Sequence, residues 1–256
     1  MLRAPGLHDL AAQETVQAMI CARRAKMSRT LILLPGLNCD ARLWRDVLAG
    51  LGDAVTGVVA DLSAETSIAG MARAVLARAP DRFCVAGLSM GGYVALEIMR
   101  QAPQRVSHLA LLDTSARADD DARKQTRRAG MAAAAEGKFG LVVRAMQAGL
   151  LAPDHLDTPL AAEVVAMAER CGPQAYRRHQ QAIMDRIDSR PGLDAIDLPV
   201  LVGVGALDTL TPPTLAEEMA AAIPEAVLAV FADAGHMSAM ENPAAVVTGM
   251  RAWLAR

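Results

Sequence analysis

Residues Phe83–Gly92 read FCVAGLSMGG, an apolar run that closes on Gly87-x-Ser89-x-Gly91 before a helical pattern begins. The spacing predicts a buried strand carrying Phe83, Val85 and Ala86, then a sharp turn at Ser89. A helix follows, in which Tyr93, Val94, Leu96, Ile98 and Met99 pack against a sheet. A serine hydroxyl is a poor nucleophile unless it is held exposed at such a turn, beside a base and facing backbone donors. The glycines on either side permit that turn.

Outward from this elbow the chain alternates strand-like and helix-like runs. The strands are expected at Thr30–Leu34, Val55–Val59, Phe83–Gly87, His108–Leu112, Pro199–Gly205 and Ala226–Phe231. Short apolar strands separated by helices imply an α/β fold with a mainly parallel sheet of about six strands. Residues 115–191 carry helical patterns without a strand, broken by turns at Gly137, Gly149–Pro153 and Cys171–Pro173. They read as a helical insertion between the fourth and fifth strands. Ligands of open α/β sheets bind beyond the carboxyl ends of the strands, so an insertion there can form a cap or lid. The expected domains are a core of residues 27–114 and 192–256, a cap of residues 115–191, and an N-terminal helical extension over residues 1–26. A translation start at Met27 would leave the core intact.

Composition narrows the function classes. With 256 residues, 53% hydrophobic content and a formal net charge of −2, the chain reads as a globular protein of one domain with an insertion. Nothing favours a nucleic-acid partner. Cys21, Cys39, Cys84 and Cys171 lack metal-ligand spacing, which fits free thiols and a cytoplasmic location. No run is long enough to span a bilayer.

A serine nucleophile needs a base and an acid that orients the base. Among five histidines, His8 lies in the extension, His108 begins a strand, and His155 and His179 lie in the insertion. His236 follows the last strand in AGHM and alone has the right address. Asp208 follows the fifth strand in GALDT, ahead of a helix expected to be capped by Thr211 with Pro212 in its first position. Asp113 also ends a strand, in LLDT, and competes for the acid role; its alternative is to cap its own turn. Asn38 and Cys39 read as turn residues, and Met131, Met146, Met167 and Met184 as packing in the insertion. The basic cluster Arg123, Lys124, Arg127, Arg128, Arg177 and Arg178 reads as a solvated face, because residues 115–191 hold 12 Lys and Arg against 10 Asp and Glu.

The order Ser89, Asp208, His236, each after a separate strand, together with GLSMGG, LLPGLNCDARLW, GALDTLTPP and AGHMSAMENP, resembles the α/β-hydrolase superfamily over Thr30–Arg256. The likeness is to a compact carboxylesterase-like branch with a helical cap, in six-stranded form. It implies a Ser89–His236–Asp208 triad and an oxyanion hole from the backbone N–H groups of Leu37 and Met90. It implies a small ester or related acyl substrate and neither metal nor organic cofactor. Related hydroxynitrile lyases place Thr where this chain has Gly36 and Lys where it has Met237, so hydrolysis is favoured over elimination. Lactone, thioester and carbon–carbon bond hydrolysis remain open, as does a noncatalytic small-molecule receptor.

Overall fold

The computed structural model describes residues 29–256. The helix expected over residues 1–26 and the alternative start at Met27 lie outside the described residues. The expected strands become β1 (Arg29–Leu34), β2 (Val55–Val59), β3 (Phe83–Leu88), β4 (Val106–Leu112), β5 (Val200–Gly205) and β6 (Ala226–Phe231). They form one sheet in the order β2-β1-β3-β4-β5-β6, and every neighbouring pair is parallel.

The inner strands β1, β3, β4 and β5 are largely buried on both sides because helices cover both sides, whereas the edge strands β2 and β6 leave several residues exposed. Phe83 and Val85 face a core shared with α2 (Ile68–Leu76), α3 (Met90–Gln101) and α7 (Pro213–Ala222). Cys84, Ala86 and Leu88 face the opposite core, completed by α1 (Arg45–Leu51) and α9 (Pro243–Leu254) through Val47, Leu51, Val246, Met250 and Trp253. This alternation, period two along β3, places the elbow at the centre of the sheet between two filled layers.

At the elbow Ser89 adopts φ 54° and ψ −115°, outside the regions ordinary side chains prefer. The two motif glycines are required by close approach. A Cβ on Gly87 would lie 2.2 Å from the Gly91 carbonyl oxygen, and one on Gly91 would lie 2.0 Å from that of Leu34. Both obstacles are backbone, so neither can swing aside. Gly91→Ala is therefore expected to cost about 3 kcal/mol or more, or to prevent folding, as read by denaturant titration.

Between β4 and β5 stand α4 (Asp121–Ala135), α5 (Phe139–Leu150) and α6 (Pro159–Met184). The last is broken at Gly172, which takes φ 78°, and Pro173 then occupies the first turn of the second half, where its missing N–H costs little. Phe139, Val143, Ala168 and Tyr176 form a small core within the insertion, and Leu37 packs against it.

The cationic cluster is only partly the solvated face expected from its near-neutral charge count. Arg123, Arg128 and Arg177 are exposed. Arg127, however, donates to the wholly buried carboxylate of Asp119 at 2.5 Å and to Gln180 at 2.7 Å. Arg186 donates to the other Asp119 oxygen at 2.8 Å and lies 4.2 Å from the Tyr93 ring centroid. The hydrogen bonds fasten α4 and the end of α6 to the segment after β4, and the Arg186–Tyr93 contact adds the core helix that begins at the elbow. Arg178 donates to the Ser63 carbonyl at 2.7 Å. The sequence count missed them because charge balance says nothing about which side chains meet.

Candidate active site

A parallel sheet delivers the carboxyl ends of all its strands to one edge. The pairs Leu34 with Gly87, Leu88 with Leu112, and Gly205 with Phe231 bring the loops after β1, β3, β4, β5 and β6 together there. Ser89 follows β3 directly, Asp208 lies in the loop after β5 and His236 in the loop after β6.

His236 Nε2 lies 2.8 Å from Ser89 Oγ, and His236 Nδ1 lies 2.8 Å from Asp208 Oδ2. An ionised carboxylate can only accept, so Nδ1 carries the ring proton and Nε2 is left to accept the serine hydroxyl proton. Burial opposes ionisation of Asp208, yet the His236 charge and hydrogen bonds from His236 and Thr211 hold its carboxyl below the usual range. Burial alone would depress His236; the charge and hydrogen bond of Asp208 more than offset it and hold its pKa above the ordinary value of 6.5.

Thr211 does not cap the following helix as expected. That helix starts at Pro213, with Pro212 as its cap residue, and the Thr211 hydroxyl instead donates to Asp208 Oδ2 at 2.7 Å. The N–H groups of Leu210 and Thr211 donate to Asp208 Oδ1, each at 2.9 Å. A side chain one turn from the carboxylate was worth more to it than to the helix end.

Asp113 accepts from the Gly205 N–H at 2.8 Å and from the Ser238 hydroxyl. These partners lie at the end of β5 and at the start of the short helix α8 (Ser238–Glu241), so it ties neighbouring segments together rather than capping its own turn. Complete burial, reinforced by the nearby Asp208 charge, pushes its carboxyl up to about 8. A group largely neutral at pH 7 and bonded elsewhere is a poor partner for an imidazolium.

Gly36 brings the loop after β1 against the elbow: a Cβ there would be 3.5 Å from Ser89 Cβ. The Ser89 N–H is taken by the Leu112 carbonyl at 2.9 Å. Met90 opens α3, where the first N–H groups have no partner inside the helix. Met90 thus lies at the first position of α3, directly after Ser89, and Leu37 lies in the loop after β1.

Glu241 was not singled out in the sequence. Its side chain is fully buried and accepts from the N–H groups of Gly235 and Met237, both at 3.0 Å, on either side of His236. Its other oxygen accepts from the Ala152 N–H in the insertion at 2.7 Å. The available signal was a lone acid five residues after His236, in the stretch HMSAMENP. Met146 and Met167, read as packing, both line a narrow cleft between Leu37 and the insertion. Among the described residues no group of three or more His, Cys, Asp or Glu could hold a metal ion.

A family model described as the alpha/beta hydrolase family matches residues 31–248. The chain belongs to the alpha/beta hydrolase family. This alpha/beta hydrolase is 34% identical over 163 residues to a pimeloyl-[acyl-carrier protein] methyl ester esterase of Neisseria meningitidis, covering 59% of this chain and 61% of that protein. It thus spans about three fifths of the length of such relatives. A protein of the same name from Aromatoleum aromaticum is 32% identical over 185 residues, 66% of this chain and 73% of its own. A thermophilic esterase from Thermogutta terrifontis superimposes with a TM-score of 0.81 at 27% identity, covering 89% of this chain and 90% of its own. The enol-lactonase of Burkholderia xenovorans superimposes at 0.82 with 22% identity over 90% of this chain and 92% of its own, a likeness of fold. Among the described residues no helix is long and apolar enough to cross a membrane.

Proposed function

We propose that this alpha/beta hydrolase is a serine hydrolase that cleaves a small carboxylic ester through an acyl-enzyme. The observation that carries the reading is the continuous path from Ser89 Oγ through His236 to Asp208, with 2.8 Å at each step. His236 takes the hydroxyl proton as Ser89 attacks the ester carbonyl. The N–H groups of Leu37 and Met90 hold the oxyanion, and His236 returns the proton to the departing alcohol. Water enters by the same base and releases the acid. Residues 115–191 serve as the cap over the 27–114 and 192–256 core, positioned to select substrate. The relatives named as methyl ester esterases favour carboxylic ester hydrolysis among the reactions that such machinery can perform. Free Cys39, Cys84 and Cys171 fit a reducing, cytoplasmic setting.

Incubation with a fluorophosphonate should add one label, on Ser89, and p-nitrophenyl butyrate should be hydrolysed. A protein that neither labels nor turns over any ester in a short-chain panel would defeat the reading. The pH profile is a further expected outcome. His236 acts as base only when neutral, so kcat/KM should rise with pH through a midpoint above 6.5, because the net effect of its surroundings raises its pKa. A rate that falls steadily from about pH 5 to 8 is incompatible with that role.

A further inference from the structure

The backbone on either side of His236 is held by a single side chain. Gly235 and Met237 lie outside strands and helices, and among the described residues the one partner of their N–H groups is Oε1 of Glu241, at 3.0 Å each. Between them the imidazole must reach Ser89 on one side and Asp208 on the other, at 2.8 Å each way. A loop displaced by about 1 Å would lengthen one of those contacts, and a misplacement of that size can cost about 100-fold in rate.

The same side chain also meets the insertion. Glu241 Oε2 accepts from the Ala152 N–H at 2.7 Å, and His155 Nδ1 lies 3.3 Å from it. Residues 151–152 are docked rather than merely nearby. Leu151 is buried in the same apolar core as Ala234 and Met237, and a Cβ on Gly235 would lie 2.6 Å from the Ala152 nitrogen. The Glu241 side chain is wholly buried, so its hydrogen bonds are exchanged for no contact with water if either partner withdraws. A carboxylate offers two acceptor oxygens, here divided between the loop of His236 and the insertion.

We propose that Glu241 is a positioning residue for His236, clamping both flanking amides with one oxygen and the insertion with the other, so that the imidazole is seated only while residues 151–152 are docked. The proposal rests on the esterase reading above, in which His236 is the base, and adds the route by which the position of the insertion reaches that base.

Glu241→Gln separates the two links. Two donors fix its carbonyl oxygen at Gly235 and Met237, so its NH₂ must face the Ala152 N–H and only the bond to the insertion is lost. Glu241→Ala loses both. With p-nitrophenyl butyrate, well below the melting temperature of each variant, kcat should fall about tenfold in Glu241→Gln and about 100-fold in Glu241→Ala, with KM altered less than about threefold. Amide hydrogen exchange should quicken in both variants at Ala152 and at Gly235–Met237, and not across the sheet. A lower melting temperature with kcat unchanged in both variants overturns the positioning role. Faster exchange at Ala152 in Glu241→Gln with kcat within about twofold of wild type overturns the dependence on the insertion. If Glu241→Ala does not fold, Glu241→Gln decides by the same two readouts. If the wild-type protein turns over no ester, the esterase reading fails, and the seat of His236 is read from the nuclear magnetic resonance of its Nδ1 proton. A signal broadened in Glu241→Gln relative to wild type upholds the proposal; an unaltered signal overturns it.

Discussion

Ser89→Ala should lower kcat on any ester the protein hydrolyses by roughly 10⁵- to 10⁶-fold and abolish fluorophosphonate labelling. The size follows from the division of labour at the elbow. His236 and Asp208 act only by moving and stabilising a proton that belongs to Ser89, so without the hydroxyl their contribution vanishes together with the nucleophile. What survives is the weak activation of water by the two backbone donors and by binding. Far-ultraviolet circular dichroism should show the same fold, because Ser89 Oγ has His236 as its hydrogen-bond partner and no structural bond depends on it. Loss of only a few-fold would mean that Ser89 is not the nucleophile. A noncatalytic receptor would show no serine-dependent turnover to lose.

Asp208→Asn should cost about 10⁴-fold in kcat, whereas Asp113→Asn should stay within roughly tenfold of wild type. The hydrogen bonds dictate the difference. The Leu210 and Thr211 N–H groups both donate to Oδ1 of Asp208, so an asparagine must keep its carbonyl oxygen there. Its NH₂ would then replace Oδ2 and face His236 Nδ1, which must accept. That forces the ring proton onto Nε2, which can no longer take a proton from Ser89. At position 113 the Gly205 N–H likewise fixes the carbonyl oxygen, but the NH₂ would meet the Ser238 hydroxyl, which can accept as readily as donate. Since Asp113 is largely neutral at pH 7 already, the amide alters little. The opposite ranking of the two variants would reassign the acid.

The same carboxyl gives a signed stability effect. Its folded pKa of about 8 lies above the ordinary aspartate value of 3.8, so the stability linked to its protonation is present below 3.8 and is lost as pH rises towards 8. Asp113→Asn removes that dependence, and its melting temperature relative to wild type should therefore climb between those limits.

The parallel sheet was readable from sequence because its inner strands are buried on both faces and appear as short apolar runs without alternation, and its exposed edge strands β2 and β6 are still rich in valine. Boundaries were less so: Val106 and Ser107 belong to β4, but Pro103–Arg105 form a turn just before them that obscures the start. Ser89, Asp208 and His236 were legible because each sits just past a strand end, a local signature. Glu241, Asp119 and Arg186 were not. Arg186 meets Asp119 across 67 residues, and Glu241 meets Ala152 across 89, and no local pattern encodes which distant loops a sheet edge will bring side by side. Thr211 failed differently: a good cap residue was claimed by a closer and better acceptor. The fold and the meeting of Ser89, His236 and Asp208 were thus written locally, while the bracing of the loops that carry them depends on contacts made only after folding.

The backbone at Ser89 carries one last implication. With φ at 54° and ψ at −115°, position 89 is a place where glycine would fold more comfortably than any residue with a side chain. Selection for stability alone would favour Ser89→Gly. A serine at the least hospitable backbone position of the elbow therefore sets activity against robustness, and engineering this chain for heat resistance should leave that position untouched and look for gains elsewhere.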